Sequence, residues 1–439
     1  MSGAAVGAAL MTEEGDGRMR LMEDEEEDNA GAGLGRRAVH AALTHATYAA
    51  AAPVLPLLGV RSAFGVAAAL GAFVLPPLLL PVAVLANRRA LRSALHAVAA
   101  VPPLLLALRV CPPLALAVAG TVALAQHASL VAARAHRRVL AMRLALLHSF
   151  IAAAAVLAPP LAAALFRFPT LPFFALALAH AVLVPFALRD DHKRVHAPQI
   201  APSEASPALP SLREHPRLIL VLIAMLASAA TSSYLRPLLV PYMAPDNTLS
   251  SYMRPALLFS LHAVAAFLAE TLVPPLLTNH ITLRTAVSLG ILTALTGVSL
   301  VHHSFITIGL FFMALGSSAS LVLAVSDIAA TTNQPLNSVT DPIAVLAART
   351  FSCGEALGMF LAGVLAERSG FDFAILVWYR VMIVVALIVV VPHLVLRCCT
   401  PFAFLLATSA STSDLSHEQT PLLDNHTAQS SNYTFTTSV

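Results

Sequence analysis

Apolar residues in this chain form long continuous runs, and most charged residues lie between the runs. Each run is about 20 residues long, the length that a helix needs to cross the hydrocarbon core of a membrane. The strands of a membrane barrel would alternate polar and apolar residues over about ten positions instead. Helices remain, because they satisfy their backbone polar groups internally. The pattern predicts an all-α polytopic membrane protein whose twelve transmembrane helices span about 38–58, 63–86, 93–111, 114–133, 139–165, 171–188, 217–242, 255–277, 285–302, 305–327, 342–366 and 374–395.

A polar stretch in the middle of the chain divides these helices into two groups of six. It reads RDDHKRVHAPQIAPSEASPALPSLREHPR from Arg189 to Arg217. Both ends of the chain are polar as well, and the first contains the acidic run EDEEED, which is typical of a solvated, disordered segment. We therefore expect a disordered cytosolic N-terminal tail at 1–37, a six-helix bundle at 38–188, a cytosolic central loop at 189–216, a second six-helix bundle at 217–396 and a disordered cytosolic tail at 397–439.

Basic residues alternate between the loops and indicate how the helices are oriented. The loops that follow odd-numbered spans carry only single charges such as Arg61 and Arg167, whereas those after even-numbered spans carry clusters. Because basic clusters stay on the cytosolic side of a membrane, this alternation predicts that both termini are cytosolic. The clusters of the first half are Arg88, Arg89 and Arg92, then Arg134, Arg137 and Arg138, then Arg189, Lys193 and Arg194.

Composition excludes several classes of protein. Hydrophobic residues make up 58% of the chain and charged residues 11%, and the mean hydropathy is +0.79, so a soluble protein of this size would lack polar surface. Nothing indicates a nucleic-acid partner. No Walker motif is present, which argues against transport driven by ATP. An intramembrane enzyme would need an HExxH motif or two close aspartates within the spans, and the spans contain neither. The four cysteines form no disulfide or zinc pattern, so we expect neither a metal nor a cofactor.

Several stretches resemble the major facilitator superfamily of secondary transporters. ALLFSLHAVAAFLAETLVPPLLTN, IGLFFMALGSSASLVLAVSD and RTFSCGEALGMFLAGVLAERSGFDFAIL are similar to the second half of such proteins, in particular to poorly characterised members from filamentous fungi. In the first half, LANRRALR keeps the arginines of the family's loop signature and lacks its aspartate and glycine. In span five, alanines replace the glycines of the family's antiporter motif, at Ala145, Ala154, Ala158, Ala162 and Ala163, and Pro159 stands where the motif has its proline. The resemblance implies the facilitator fold, in which two bundles rock about a central site.

Ionisable residues inside the spans are the first candidates for mechanism, because a charge at the centre of a bilayer costs about 2.5–3.5 kcal/mol. Glu270 lies in span eight and Glu355 in span eleven, whereas Arg236 lies beside Tyr234 in span seven. All four are candidates for the substrate or proton pathway. In one interpretation, either glutamate carries a proton and Arg236 is its counter-ion or a ligand for an anion. In the other, these residues form a structural ion pair or hydrogen bond between helices. Both interpretations stay open at this point.

Further candidates follow from the resemblance, which implies that spans one, four, seven and ten line the cavity. His45 with Tyr48 in span one, and His127 with Gln126 in span four, are therefore expected on the substrate or proton pathway. Histidine suits such a role because it changes charge near physiological pH. Asp327 lies near the cytosolic end of span ten, where we expect a helix-end or gating contact.

The C-terminal tail carries two candidate signals. Cys398 and Cys399 follow the last apolar run directly, where reversible palmitoylation and plain interfacial packing are both open. Further on, the tail contains an acidic-dileucine pattern that cytosolic sorting adaptors bind, formed by Glu418, Leu422 and Leu423. This pattern favours a vacuolar, lysosomal or other endomembrane location over the plasma membrane.

The sequence as a whole predicts a secondary active transporter of a small organic solute that works by alternating access. Proton coupling is compatible with the buried carboxylates. The alternative is a non-transporting receptor or scaffold on a facilitator-like fold, because the family's motifs are degenerate in this chain. Substrate, direction of transport and coupling ion do not follow from these residues.

Overall fold

The computed structural model describes residues 36–79, 89–131, 137–165, 167–193, 216–243, 248–277, 282–332 and 342–411. Every regular element in these ranges is helical. We number the helices in chain order, and a helix with a short break keeps one number. They are α1 (Arg36–Leu58), α2 (Ala63–Leu79), α3 (Arg89–Ala97 and Val101–Ala107), α4 (Pro112–Val131), α5 (Arg137–Ala164), α6 (Leu171–Lys193), α7 (Pro216–Tyr234 and Arg236–Met243), α8 (Leu249–Leu277), α9 (Leu283–His302), α10 (Ile306–Thr332), α11 (Pro342–Ser369) and α12 (Phe371–Ser411).

Nine of the described helices are long and apolar enough to cross a membrane, namely α1, α3 and α6 to α12. Shorter apolar helical stretches occupy α2, α4 and α5, at Ala63–Leu79, Pro112–Gln126 and Ser149–Ala164. The structure therefore confirms an all-α polytopic membrane protein. The count of twelve membrane-spanning helices stays a prediction, although each predicted span coincides with a helix.

Prolines break two of the helices. In α3 the chain turns at residues 98–100, and the next segment begins with Val101 ahead of Pro102 and Pro103. In α7 the break falls at Leu235, two residues before Pro237. Proline has no backbone N–H and its ring collides with the carbonyl four residues earlier, so it fits the first turn of a helix better than the interior. Each break therefore begins a new first turn that contains the proline.

Contacts between the chain's two halves lie at mid-depth and toward one end of the helices. There α2 packs against α11, and α5 packs against α8. Gly363 of α11 touches the first turns of α2 so closely that a β-carbon would press on Ala67. Across α5 and α8, the Ser260 hydroxyl donates to the Val156 carbonyl at 2.6 Å. This end, where α1 finishes and α2 begins, is sealed by direct helix contact.

The polar ends of the chain are described only in part. Helix α12 continues to Ser411, so residues 397–411 are helical where the sequence predicted a disordered tail. The apolar run PFAFLLA after Arg397 gives this extension an apolar character that a solvated tail would lack. The dileucine pattern at 418–423 and the acidic N-terminal run lie outside the described residues, as does most of the central loop.

Candidate functional site

Arg236 owes its position to the break in α7. It is the first residue of the second segment, directly after the turn at Leu235, and Pro237 follows it. Neighbouring residues point in different directions there. Tyr234 is fully buried, donates from its hydroxyl to the Ala374 carbonyl at 2.7 Å, and stacks on Trp378 with ring centroids 4.5 Å apart. Tyr234 therefore holds α7 against α12 and does not join the Arg236 site.

Two glycines on α11 bring Glu355 close to α7. A β-carbon at Gly354 would meet the Leu226 carbonyl, and one at Gly358 would meet the Ala230 carbonyl. Small residues allow membrane helices to approach to backbone contact. The Ser233 hydroxyl also donates to the Glu355 carbonyl at 2.9 Å across the same interface. The sequence GEALG thus places the Glu355 carboxylate within reach of the α7 break.

The centre of the site is an ion pair joined by a tyrosine from the other half of the chain. Arg236 Nη1 lies 3.4 Å from Glu355 Oε1, and it donates to the Tyr48 hydroxyl at 3.1 Å. The Arg236 and Glu355 side chains are 24% and 11% exposed, so both are largely shielded. A buried charge is costly unless it is paired and hydrogen-bonded. Here each charge has the other as its partner, and Tyr48 connects the pair to α1.

Aromatic and sulfur groups surround Tyr48. Its ring stacks on Phe73 of α2, with centroids 4.3 Å apart, and Phe73 meets the His45 ring edge-on at 5.5 Å. The Tyr48 hydroxyl also donates to Met359 Sδ at 4.0 Å. Because Met359 belongs to α11, Tyr48 contacts both charged helices of the second half. The predicted candidates Tyr48, His45, Arg236 and Glu355 are therefore brought together.

The site lies near the middle of the apolar spans. Tyr48 and Glu355 fall close to the midpoints of Arg36–Leu58 and Val345–Ser369, and His262 falls close to the midpoint of Ser251–Val273. His262 also lies within electrostatic range of Arg236. An arginine, a carboxylate, a phenol and an imidazole at one depth can exchange protons and hydrogen bonds. They can also bind a polar group of a solute.

Glu270 lies apart from this group. It follows His262 by two helical turns along α8, which is about 12 Å along the axis. Its side chain is exposed, whereas Glu355 is buried. Of the two glutamates, Glu355 is therefore the one that the structure pairs with Arg236.

The other predicted residues also lie elsewhere. Gln126 of α4 is buried beside the first turns of α1, and its Nε2 donates to the His40 carbonyl at 3.3 Å. The side chain of His127 lies outside the described part. Asp327 lies 3.8 Å from Arg284, an ion pair that joins the end of α10 to the beginning of α9. The side chains of Cys398 and Cys399 are not described. Within the described residues, no group of three or more metal-ligating side chains could hold a metal ion.

The sequence did not single out Phe73 or Met359. Phe73 and Met359 are apolar residues inside apolar runs, so nothing in the local pattern separates them from ordinary packing residues. The glycines gave a stronger signal. Gly354 and Gly358 flank Glu355 on one face of the helix, a spacing that predicts close helix contact beside a charge.

No family model matches the sequence, and no curated protein sequence matches it. Solved structures of similar fold include a POT family transporter in complex with 5-aminolevulinic acid, with a TM-score of 0.63 and 12% identity over 82% of this chain and 96% of that one. A POT family transporter in complex with a thioalcohol conjugated peptide has a TM-score of 0.62 and 13% identity, over 82% and 96%.

The nucleoside transporter NupG is similar too, with a TM-score of 0.60 and 11% identity over 80% of this chain and 97% of that one. None of these likenesses supports the narrower similarity to fungal proteins. At such identities they show the architecture alone. The chain therefore has the polytopic helical fold of these transporters, which agrees with the facilitator-type architecture that the sequence predicted.

Proposed function

We propose that this protein is a secondary transporter that moves a small organic solute through the centre of its helical bundle by alternating access. One observation carries the proposal. The Arg236–Glu355 pair, in contact with Tyr48 from the other half of the chain, lies at mid-depth within a transporter fold. A contact of this kind must change when the two halves move relative to each other. It therefore links whatever occupies the site to the conformation of the protein.

Glu355 is the proposed proton carrier. When Glu355 is ionised, it neutralises Arg236, and the site holds no net charge from this pair. When Glu355 gains a proton, the Arg236 guanidinium loses its ionic partner and can bind an acceptor group of the solute. Proton and solute then occupy the site together, which is the requirement for coupled transport. Glu270, the other candidate that the sequence offered, lies two turns away from this site, so we assign the role to Glu355.

The test is transport by the purified chain in proteoliposomes under an imposed pH gradient. The panel of solutes begins with the ligand types of the structural neighbours, 5-aminolevulinic acid, short peptides and nucleosides, and extends to neutral and anionic metabolites. We expect at least one solute to accumulate in wild type and not in Arg236→Gln. Arg380→Gln is the matched control, because Arg380 is exposed on α12.

Two results would contradict the proposal. Equal accumulation by wild type and Arg236→Gln would show that Arg236 takes no part in transport. No accumulation of any solute, in vesicles whose protein is folded and inserted, would favour the receptor or scaffold alternative.

A further inference from the structure

Three histidines from three helices meet in the interior of the chain's first half. His40 of α1 faces His96 of α3 with ring centroids 5.6 Å apart, and it meets His180 of α6 at 5.1 Å. Their exposed fractions are 1%, 4% and 0%. Histidine is seldom so completely buried, and here three such residues are in ring contact. None of them belongs to the Arg236 site.

The hydrogen bonding of His40 is incomplete. A neutral imidazole offers one donor and one acceptor nitrogen, but both nitrogens of His40 are buried without a hydrogen-bond partner among the described residues. A buried polar atom left in this way costs about 1–3 kcal/mol, so its presence in a native fold calls for an explanation. An apolar side chain of similar size would fill the same space without leaving polar atoms unsatisfied.

Helices α1 and α3 supply positive charge around the cluster. Arg36 and Arg37 lie on α1 about one turn before His40, and Arg92 lies one turn before His96 on α3. Charges of both signs lie further along α6, at Arg189, Asp190 and Asp191. On α4, the neutral Gln126 donates to the His40 carbonyl. His180 lies beside the backbone of Leu43. A proton on any of the three rings would therefore add charge to an apolar interior that already has basic neighbours.

The cluster extends from the middle of the α3 and α6 spans, at His96 and His180, toward the end of the bundle where α1 begins, at His40. The seal between the halves lies at the other end, where Gly363 meets the first turns of α2. Opening of α1, α3 and α6 at the histidine end therefore leaves that seal in place. A change at the cluster can act on one end of the protein alone.

We propose that His40, His96 and His180 form a proton-binding site whose occupation is coupled to the separation of α1, α3 and α6. In the closed arrangement the rings are neutral, because an imidazolium ion needs water or an anionic partner. Acid favours an arrangement in which the rings reach water, and a second proton would repel the first across about 5–6 Å. This site is independent of the Arg236 site and does not require that the protein transport a solute.

The test is amide hydrogen exchange of the purified full-length chain in lipid nanodiscs between about pH 8 and about pH 5, corrected for the intrinsic pH dependence of exchange. Each proton taken up on opening shifts the opening equilibrium by up to about tenfold per pH unit. We therefore expect peptides from α1, α3 and α6 to show at least about tenfold more opening at the acidic end. His40→Gln should remove most of this response.

The matched control is His302→Gln with His303→Gln. These two rings lie 5.2 Å apart at the end of α9, and the His303 ring is exposed. The control should keep the full acid response. If His40→Gln does not fold, His96→Gln serves as the second variant, with the same expected loss.

Three results would overturn the proposal. The first is an acid response in the His40→Gln or His96→Gln variant equal to that of wild type. The second is a wild type whose α1, α3 and α6 show no response. The third is a chelator effect on wild-type exchange that disappears in His40→Gln, which would make the cluster a metal site.

Discussion

Arg236 and Glu355 are 119 residues apart in the chain, and their side chains lie 3.4 Å apart at Nη1 and Oε1. The contact joins the break in α7 to the middle of α11. It forms because Gly354 and Gly358 let these two helices touch through their backbones. Tyr48 extends the contact to α1, so one arginine connects both halves of the chain.

The ion pair gives a first prediction about stability. Removing one partner of a buried pair leaves the other charge uncompensated and costs up to about 3–5 kcal/mol, whereas removing both costs far less. We expect Arg236→Gln alone to lower the thermal stability of the purified protein in detergent, and the double variant with Glu355→Gln to recover most of that loss.

Transport assays on the same variants distinguish a structural role of the ion pair from a role in transport. The double variant should be stable and should still fail to accumulate solute. A double variant that transports like wild type would assign the pair to helix packing alone. If the double variant lost as much stability as the two single variants together, the two side chains would not be paired.

Close contact between α7 and α11 gives a second prediction. An alanine at Gly358 places a methyl group against the Ala230 carbonyl, and such overpacking costs about 1–3 kcal/mol. Gly71→Ala is the matched control, because a β-carbon there would meet no atom within 4 Å outside its own helical backbone. We expect Gly358→Ala to melt at a lower temperature than wild type and Gly71→Ala to melt at the same temperature or higher. Equal melting temperatures would mean that α11 can shift away from α7 without cost.

The seal between the halves gives a third prediction. Val156→Cys and Ser260→Cys replace two residues in direct contact across α5 and α8. In a chain otherwise free of cysteine, oxidation should form a disulfide and stop transport, because alternating access requires this end to open. Reduction should restore transport. Each single cysteine variant is the control, and full transport by the oxidised pair would show that α5 and α8 do not separate.

The C-terminal tail gives a fourth prediction, which concerns location. If the acidic-dileucine pattern sorts the protein, Leu422→Ala with Leu423→Ala should move a fluorescently tagged copy from an internal membrane to the plasma membrane. Leu405→Ala with Leu406→Ala, a second leucine pair in the same tail, is the control. If the double variant stays on the same membrane as wild type, the dileucine pattern is not the signal that sorts the protein.

Much of the helical architecture could be predicted from the sequence, because a membrane leaves few ways to satisfy the backbone of a long apolar run. Glu355 and Arg236 also stood out, since charges are rare in such runs. Their pairing was not predictable, because it depends on how α7 and α11 pack. Tyr234 was expected beside Arg236 as its sequence neighbour, but the break at Leu235 turns it toward Trp378.

The histidine cluster shows a different limit of sequence reasoning. His40 lies near the beginning of α1, where a polar residue is unremarkable, and His96 lies in the last turn of the first segment of α3. Only the packing of α1, α3 and α6 brings them to His180. The sequence pattern of a helix shows its composition, but it does not show which residues of other helices it contacts.

We propose that proton transfer at Glu355 is coupled to movement of the solute, and two assays on Glu355→Gln test this coupling most directly. Gln keeps the size of the side chain and cannot release a proton. We predict that this variant still exchanges labelled for unlabelled solute across a vesicle membrane but no longer accumulates solute under a pH gradient. Glu270→Gln is predicted to do both, because Glu270 lies two turns away from the site. A Glu355→Gln variant that accumulates solute as wild type does, or a Glu270→Gln variant that alone loses accumulation, would contradict the account.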